Sequence, residues 1–195
     1  MKQKVTVNPL KDITGTRGRE LSLKKIVLGL TGSVAVVKSV ELARELMRHG
    51  ADIYPIMSEN AQKLIGKDLL QWATGNEVVT SLTGKCEHIT LVKDCDLLLI
   101  APCTANTLSK IAQGVDDTPI STLATTFIGE EKPVIIVPAM HESMYKHPIV
   151  QENIQKLGVM VLEPVEEEGK AKLMQVEDIV KAVIEALSAP LSGKK

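Results

Sequence analysis

Asp96-Leu-Leu-Leu-Ile100, running into Ala101-Pro-Cys-Thr-Ala-Asn-Thr107, is the stretch whose reading decides the fold. Its first half is an apolar run of strand length, and its second half is a Pro-bounded loop of small polar residues. Leu108-Ser-Lys-Ile-Ala112 then reads as the start of a helix. A buried parallel strand that feeds a polar loop and a helix N-terminus marks the edge where open α/β sheets bind ligands. Thr104, Asn106 and Thr107 supply hydrogen-bonding groups there, and His88-Ile-Thr-Leu91 brings a titratable ring one segment earlier. A plainer reading stands beside this one: the loop caps its helix, with Thr104 as N-cap.

Working outward, Lys25-Ile-Val-Leu-Gly-Leu30 and Asp52-Ile-Tyr-Pro-Ile-Met57 predict two more buried strands. Between them Thr31-Gly-Ser-Val-Ala35 is a turn, and Val36 to His49 is an amphipathic helix with Val40, Leu42, Ala43, Leu46 and Met47 inward. Gly50 ends that helix. Ser58 is placed to cap the next helix, and Gly66 and Gly75 punctuate a helical stretch around Leu69, Leu70 and Trp72. Pro119 suits the first helical position before Ile120 to Phe127. Lys132 to Val137 predicts a strand, His147-Pro148 to Leu157 a helix, Val159 to Leu162 a late strand, and Val176 to Leu187 a last helix. Glu166 to Lys172 reads as a charged loop. Strands alternating with helices of these lengths predict an α/β fold: a parallel sheet covered on both faces, a Rossmann-like or flavodoxin-like three-layer sandwich. Residues 1–24 read as an extension that lies over a neighbouring surface, 25–187 as the domain, and 188–195 as a linker.

Composition bounds the function. The chain has 195 residues, 44% hydrophobic and 24% charged, enough for one α/β domain with a real core. Aromatics are only 2%, so the core is aliphatic and base-stacking platforms are absent. A net charge of −1 gives no footing for nucleic acid or an anionic membrane surface. No apolar run approaches the roughly 18 residues of a transmembrane helix, and Met1 to Lys24 lacks the apolar core of a signal peptide. Cys86, Cys95 and Cys103 form no paired pattern, which fits a reducing cytoplasm and argues against disulfides or a zinc site.

Three further groups could carry chemistry. The amides of Gly32, Ser33 and Val34 lie at the start of a helix, where a phosphate can sit; the stretch is neither GxGxxG nor a Walker A sequence. Ser58 ends the second strand and falls on the same sheet edge. Pro138-Ala-Met-His-Glu-Ser-Met-Tyr145 is a poor turn but a plausible cover for a flat apolar ligand, with Met140 and Met144 readable instead as core filler. His88, His141 and His147 lack the carboxylate or thiol that would complete a metal set, so no metal is predicted.

As a set, Thr31–Ala35, Met57–Ala61, His88–Leu91, Ala101–Thr107, Gly114-Val-Asp-Asp117 and Pro138–Tyr145 resemble the homo-oligomeric flavin-containing cysteine decarboxylases. Within that family they are most similar to the phosphopantothenoylcysteine decarboxylases fused to a synthetase in coenzyme A biosynthesis, over roughly residues 24–187. The resemblance implies FMN as cofactor. Gly32, Ser33, Val34 and Ser58 would hold its phosphate, and Thr104, Ala105, Asn106 and Thr107 would line the flavin. It makes His88 the active-site base, and Met140, His141 and Met144 the cover over 4′-phosphopantothenoylcysteine. It also implies a trimer, in some members assembled into dodecamers, and a synthetase domain after Lys195.

Two departures stand out. His141 and Tyr145 replace the family's Asn and Trp. The late loop, Pro164 to Met174, lacks the family's proton-donating Cys and its Arg, for which Lys170 or Lys172 could substitute at the substrate phosphate. A flavin prenyltransferase of the same fold, or a non-catalytic regulatory flavoprotein, are the alternative readings.

Overall fold

The computed structural model describes residues 11–167 and 170–188, with side chains for all of these except 165–167 and 170–172. The deciding stretch forms β3 (Leu97–Cys103), in which every residue is buried. It lies at the centre of a parallel five-stranded sheet in the order β2–β1–β3–β4–β6. The others are β1 (Lys25–Leu30), β2 (Asp52–Met57), β4 (Val134–Pro138) and β6 (Met160–Val161). This is the doubly wound order of flavodoxin-like sheets, and the chain reverses direction across the sheet between β1 and β3.

Alternation along the strands builds two cores. Ile26, Leu28, Leu30, Leu97, Leu99 and Ala101 face one side, packed by α1 (Ser39–Arg48), α3 (Lys67–Thr74) and α9 (Val176–Ser188). Val27, Leu98, Ile100 and Cys103 face the other. There they meet α4 (Glu87–Asp94), α5 (Ala105–Gln113), α6 (Pro119–Gly129) and α8 (Pro148–Leu157). Phe127 is fully buried in this second core, and each such side chain contributes about 1.5–3 kcal/mol by leaving water. A strand buried on both faces must be a continuous apolar run, as β3 is.

Several boundaries differ from expectation. The helix after β1 is broken: Val34–Lys38 winds as a 3-10 helix before α1 begins. The β-branched Val34, Val36 and Val37 resist α-helical packing. Val40 is only partly buried. The strand expected to end at Ile100 continues through the cis Ala101–Pro102 peptide to Cys103. The expected charged loop is instead two short strands, β7 (Val165–Glu167) and β8 (Lys170–Lys172). They join β5 (Met140–His141) in a small antiparallel sheet of order β5–β8–β7. Among the described residues no helix is long and apolar enough to cross a membrane.

Residues 11–24 lie over this domain. Gly15, Arg17 and Leu21 donate their amides to the carbonyls of Met47, Arg48 and His49, and Leu21 is fully buried in the first core. Gly50 permits this closeness: its φ is +102°, and a Cβ there would stand 3.0 Å from Ser22. Residues 1–10 and 189–195, including the expected linker after Ser188, lie outside the described residues.

Candidate functional site

The C-terminal ends of β1, β2, β3 and β4 lie along one edge, and side chains stitch that edge together. Thr31 follows β1, and its hydroxyl donates to the carbonyl of Pro102 (2.8 Å) while accepting the Thr104 amide (2.9 Å). Ser39 donates to Ala101 O at 3.4 Å. The Ser58 amide donates to Leu30 O, and the Ala139 amide to Cys103 O. The Gly32 turn, Ser58, Thr104–Thr107 and Met140–His141 therefore share one edge, next to the point where the chain reverses across the sheet.

Each of these groups does two jobs. Ser33 caps the 3-10 helix by accepting from Ala35, Ser58 caps α2 (Glu59–Gln62) by accepting from Ala61, and Thr104 caps α5 by accepting from Thr107. The capping reading of the sequence holds, but it leaves donors over: the Ser33 and Ser58 hydroxyls keep their own protons, and the first amides of a helix lack internal partners. The amide of Gly32 makes no backbone hydrogen bond among the described residues. A Cβ on Gly32 would sit 2.5 Å from the Cβ of Asn60, so the turn approaches α2 as only glycine can. Ala105 and Thr107 are buried and Asn106 is exposed. Donors from three loops and an exposed carboxamide fit an anionic phosphate joined to a flat hydrogen-bonding ring.

His88 reaches this edge by an indirect route. Residue Val79 runs beside the end of β2, its amide donating to Pro55 O while Met57 N donates to Val79 O. The chain then turns back into α4 with His88 in the first turn. Thr83 clasps Glu87 through its amide (2.8 Å) and hydroxyl, and these bonds, the hydroxyl first, hold the Glu87 carboxyl below the usual range. His88 is half-buried, and its Nδ1 is sealed from solvent with no hydrogen-bond partner.

The cover over the edge is tied to the late hairpin. Met140 pairs with Ala171 and His141 with Lys170. Met140 is half-buried and Met144 exposed, so neither is core filler. The Nδ1 of His141 accepts the Ser143 amide (3.2 Å) and lies 2.8 Å from the Ser143 hydroxyl, and the residue is exposed. Lys170 pairs with His141 of this strand, whereas Lys172 pairs with Val165 of β7; the side chains of both lie outside the described residues. His147 caps α8 and takes no part. Among the described residues no group of His, Cys, Asp or Glu could hold a metal.

The cysteines separate by environment. Burial pushes the thiols of Cys95 and Cys103 up to about 12, whereas Cys86 is exposed at the start of α4. Sequence reasoning missed Thr31, Ser39 and Asn60 as parts of the site. A hydroxyl one residue past a buried strand was the available signal for Thr31; nothing local marked Ser39 or Asn60.

The Flavoprotein family model matches residues 14–188. The chain belongs to that family. It is 51% identical over 194 residues to the coenzyme A biosynthesis bifunctional protein CoaBC of Thermococcus kodakarensis, covering 95% of this chain and 48% of that protein. The chain thus spans about half the length of the curated relatives it matches. Among solved structures it is similar to the FMN-dependent cysteine decarboxylase SpaF, with a TM-score of 0.74 and 28% identity over 86% of this chain and 99% of that one. A Cys-to-Ser mutant of PPC decarboxylase complexed with pantothenoylaminoethenethiol gives a TM-score of 0.76 at 22% identity. It covers 85% of this chain and 99% of that one, a likeness of fold.

Proposed function

We propose that this domain binds FMN along the β1/β3 edge and decarboxylates 4′-phosphopantothenoylcysteine to 4′-phosphopantetheine. The observation that carries the reading is the stitched edge itself. The Gly32 turn, Ser58, the Thr104–Thr107 loop and the Met140–His141 strand, all named from the sequence, meet at one end of the sheet. Gly32, Ser33, Val34 and Ser58 would receive the phosphate, and Thr104 to Thr107 the ring system. Bound FMN would supply the electron sink that a saturated thiol carboxylate lacks. The chain's residues bind, orient and move protons. His88 takes or returns a proton at Nε2, since Nδ1 is closed off. His141 offers its Nε2–H to the substrate carboxylate, with Met140 and Met144 excluding water above it. Lys170 and Lys172 would meet the substrate phosphate.

Two partner assignments belong to the same proposal. Val34 is 78% exposed beside the phosphate turn and Met144 49% exposed on the cover, which supports a second copy closing the site in a trimer. A synthetase domain would follow in the full-length protein, as the bifunctional name of the Thermococcus relative suggests.

The test is anaerobic incubation of FMN-loaded protein with 4′-phosphopantothenoylcysteine, reading the flavin spectrum and the product mass. Release of CO₂ with formation of 4′-phosphopantetheine is expected, and His88→Asn should keep FMN and lose turnover. A yellow protein that leaves the substrate intact would overturn the decarboxylase in favour of the prenyltransferase or regulatory reading. A protein that cannot be loaded with FMN would overturn the site.

A further inference from the structure

We propose that Thr31 is a positioning residue whose single hydroxyl sets the spacing between the phosphate turn and the flavin loop. This rests on the FMN reading above, and it assigns a role to a residue that need not touch the cofactor.

The regular β1–β3 ladder ends at the pair Gly29 and Ile100. Beyond it β3 shifts register against β4, and Pro102 has no amide to donate. The two strands nevertheless stay together for another turn of chain, because Thr31 replaces the missing ladder. Its amide donates to Pro102 O (3.2 Å), its hydroxyl donates to the same carbonyl (2.8 Å), and the hydroxyl oxygen accepts the Thr104 amide (2.9 Å). Thr31 is 1% exposed, so water cannot take over either bond. The residue after Thr31 is Gly32, in the phosphate turn, and the residue after Thr104 is Ala105, in the flavin loop. One buried oxygen therefore joins the two loops one residue away from each putting its donors in place.

Thr104 links that oxygen to the first turn of α5. Its amide is held by Thr31, and its own hydroxyl caps α5 through Thr107 and also donates to the Thr107 hydroxyl (3.2 Å). Losing the Thr31 hydroxyl would leave the Thr104 amide without an acceptor and free the first turn of α5 to reorient. Ser39 is the natural comparison: it is fully buried and bonds to the neighbouring Ala101 carbonyl, but it makes no bond to Thr104.

The experiment measures FMN affinity by fluorescence titration, and exchange of the Thr104 amide in FMN-free protein, for wild type, Thr31→Val, Thr31→Ser and Ser39→Ala. Thr31→Val keeps the shape and removes both hydroxyl bonds. It should weaken FMN binding roughly 10- to 100-fold and release the Thr104 amide to exchange. Thr31→Ser should stay within about threefold of wild type, and Ser39→Ala should lose stability without releasing that amide. Wild-type affinity in Thr31→Val, or a Thr104 amide that stays protected there, would overturn the proposal. So would a loss of affinity of about tenfold or more in Thr31→Ser relative to wild type, a result that does not depend on the valine variant folding. A wild-type protein that binds no FMN but shows the same exchange pattern would instead refute the cofactor reading and leave the Thr31 geometry intact.

Discussion

Gly32→Ala tests the phosphate turn by adding one methyl group. Gly32 does not have a positive φ, so backbone freedom is not its reason for being glycine. Space is. The new Cβ would lie 2.5 Å from the Cβ of Asn60, 3.3 Å from its carbonyl carbon and 3.5 Å from its Cα. Carbon atoms pack at about 3.5–4.0 Å, so either the turn or the first residues of α2 must retreat by roughly 1 Å. Two of the three atoms are backbone and cannot swing aside. Overpacking of this kind costs about 1–3 kcal/mol, or ~2–12 °C in Tm for a domain of this size. Because Gly32 and Ser58 flank the same contact, FMN affinity should fall with stability. Thermal unfolding and FMN titration in a double-mutant cycle with Asn60→Gly would check the cause. Asn60→Gly removes the Cβ that clashes, so Gly32→Ala should cost much less in that background. An equal cost with and without the Asn60 side chain would refute the steric argument.

Glu45 gives a pH prediction. Burial pushes its carboxyl up, but Arg17 (2.6 Å) and Arg48 (2.9 Å) together outweigh this and hold it below the usual range. A carboxyl lowered in the folded state adds stability above its unfolded value and loses it as pH falls through its folded value. Glu45→Gln should therefore flatten the acid side of the stability profile below about pH 5, and identical acid slopes would count against the ion-pair account. Iodoacetamide at pH 8 should label Cys86 alone in native protein and all three cysteines after unfolding, because burial keeps Cys95 and Cys103 as thiols. Ala171→Pro removes an amide from the central strand of the small sheet, where every amide lies against β5 or β7. It should raise KM for the substrate at unchanged FMN affinity; an unchanged KM would mean the hairpin does not hold the cover.

The parts of this molecule legible in the sequence are those whose physics is local. β3 had to be a strand buried on both faces, because Leu97 to Ile100 offers no polar face in any conformation. Ser58 and Thr104 mark helix starts through bonds that span three residues, and Pro119 through its fixed φ at the first helical position. The misreadings came where distant chain decides. Glu166 to Lys172 is as polar as any loop, and its strands exist because β8 finds Met140 and His141 about 30 positions earlier as a partner. Residues 11–24 have no periodicity to betray a core residue, yet Leu21 is buried because the α1 carbonyls and Gly50 hold the strap down.

The same contrast explains why Thr31 lies within a motif yet does not stand out from the sequence as a functional residue. A side chain that reaches into a ligand site announces itself by type: a histidine, an amide, a run of small polar groups. Strands that diverge at a sheet edge, however, leave carbonyls and amides without ladder partners, and in a dry interior each must be met. Here those partners are hydroxyls from distant chain: Thr31, just past β1, to Pro102 and Thr104 across 71 and 73 positions, and Ser39, at the start of α1, to Ala101 across 62. A hydroxyl fits because it can donate to one loop and accept from another in the volume of a valine, which no apolar side chain or longer amide can do. The residues that shape such an edge are then chemically ordinary and locally silent. They become visible only when the strands they join are seen side by side.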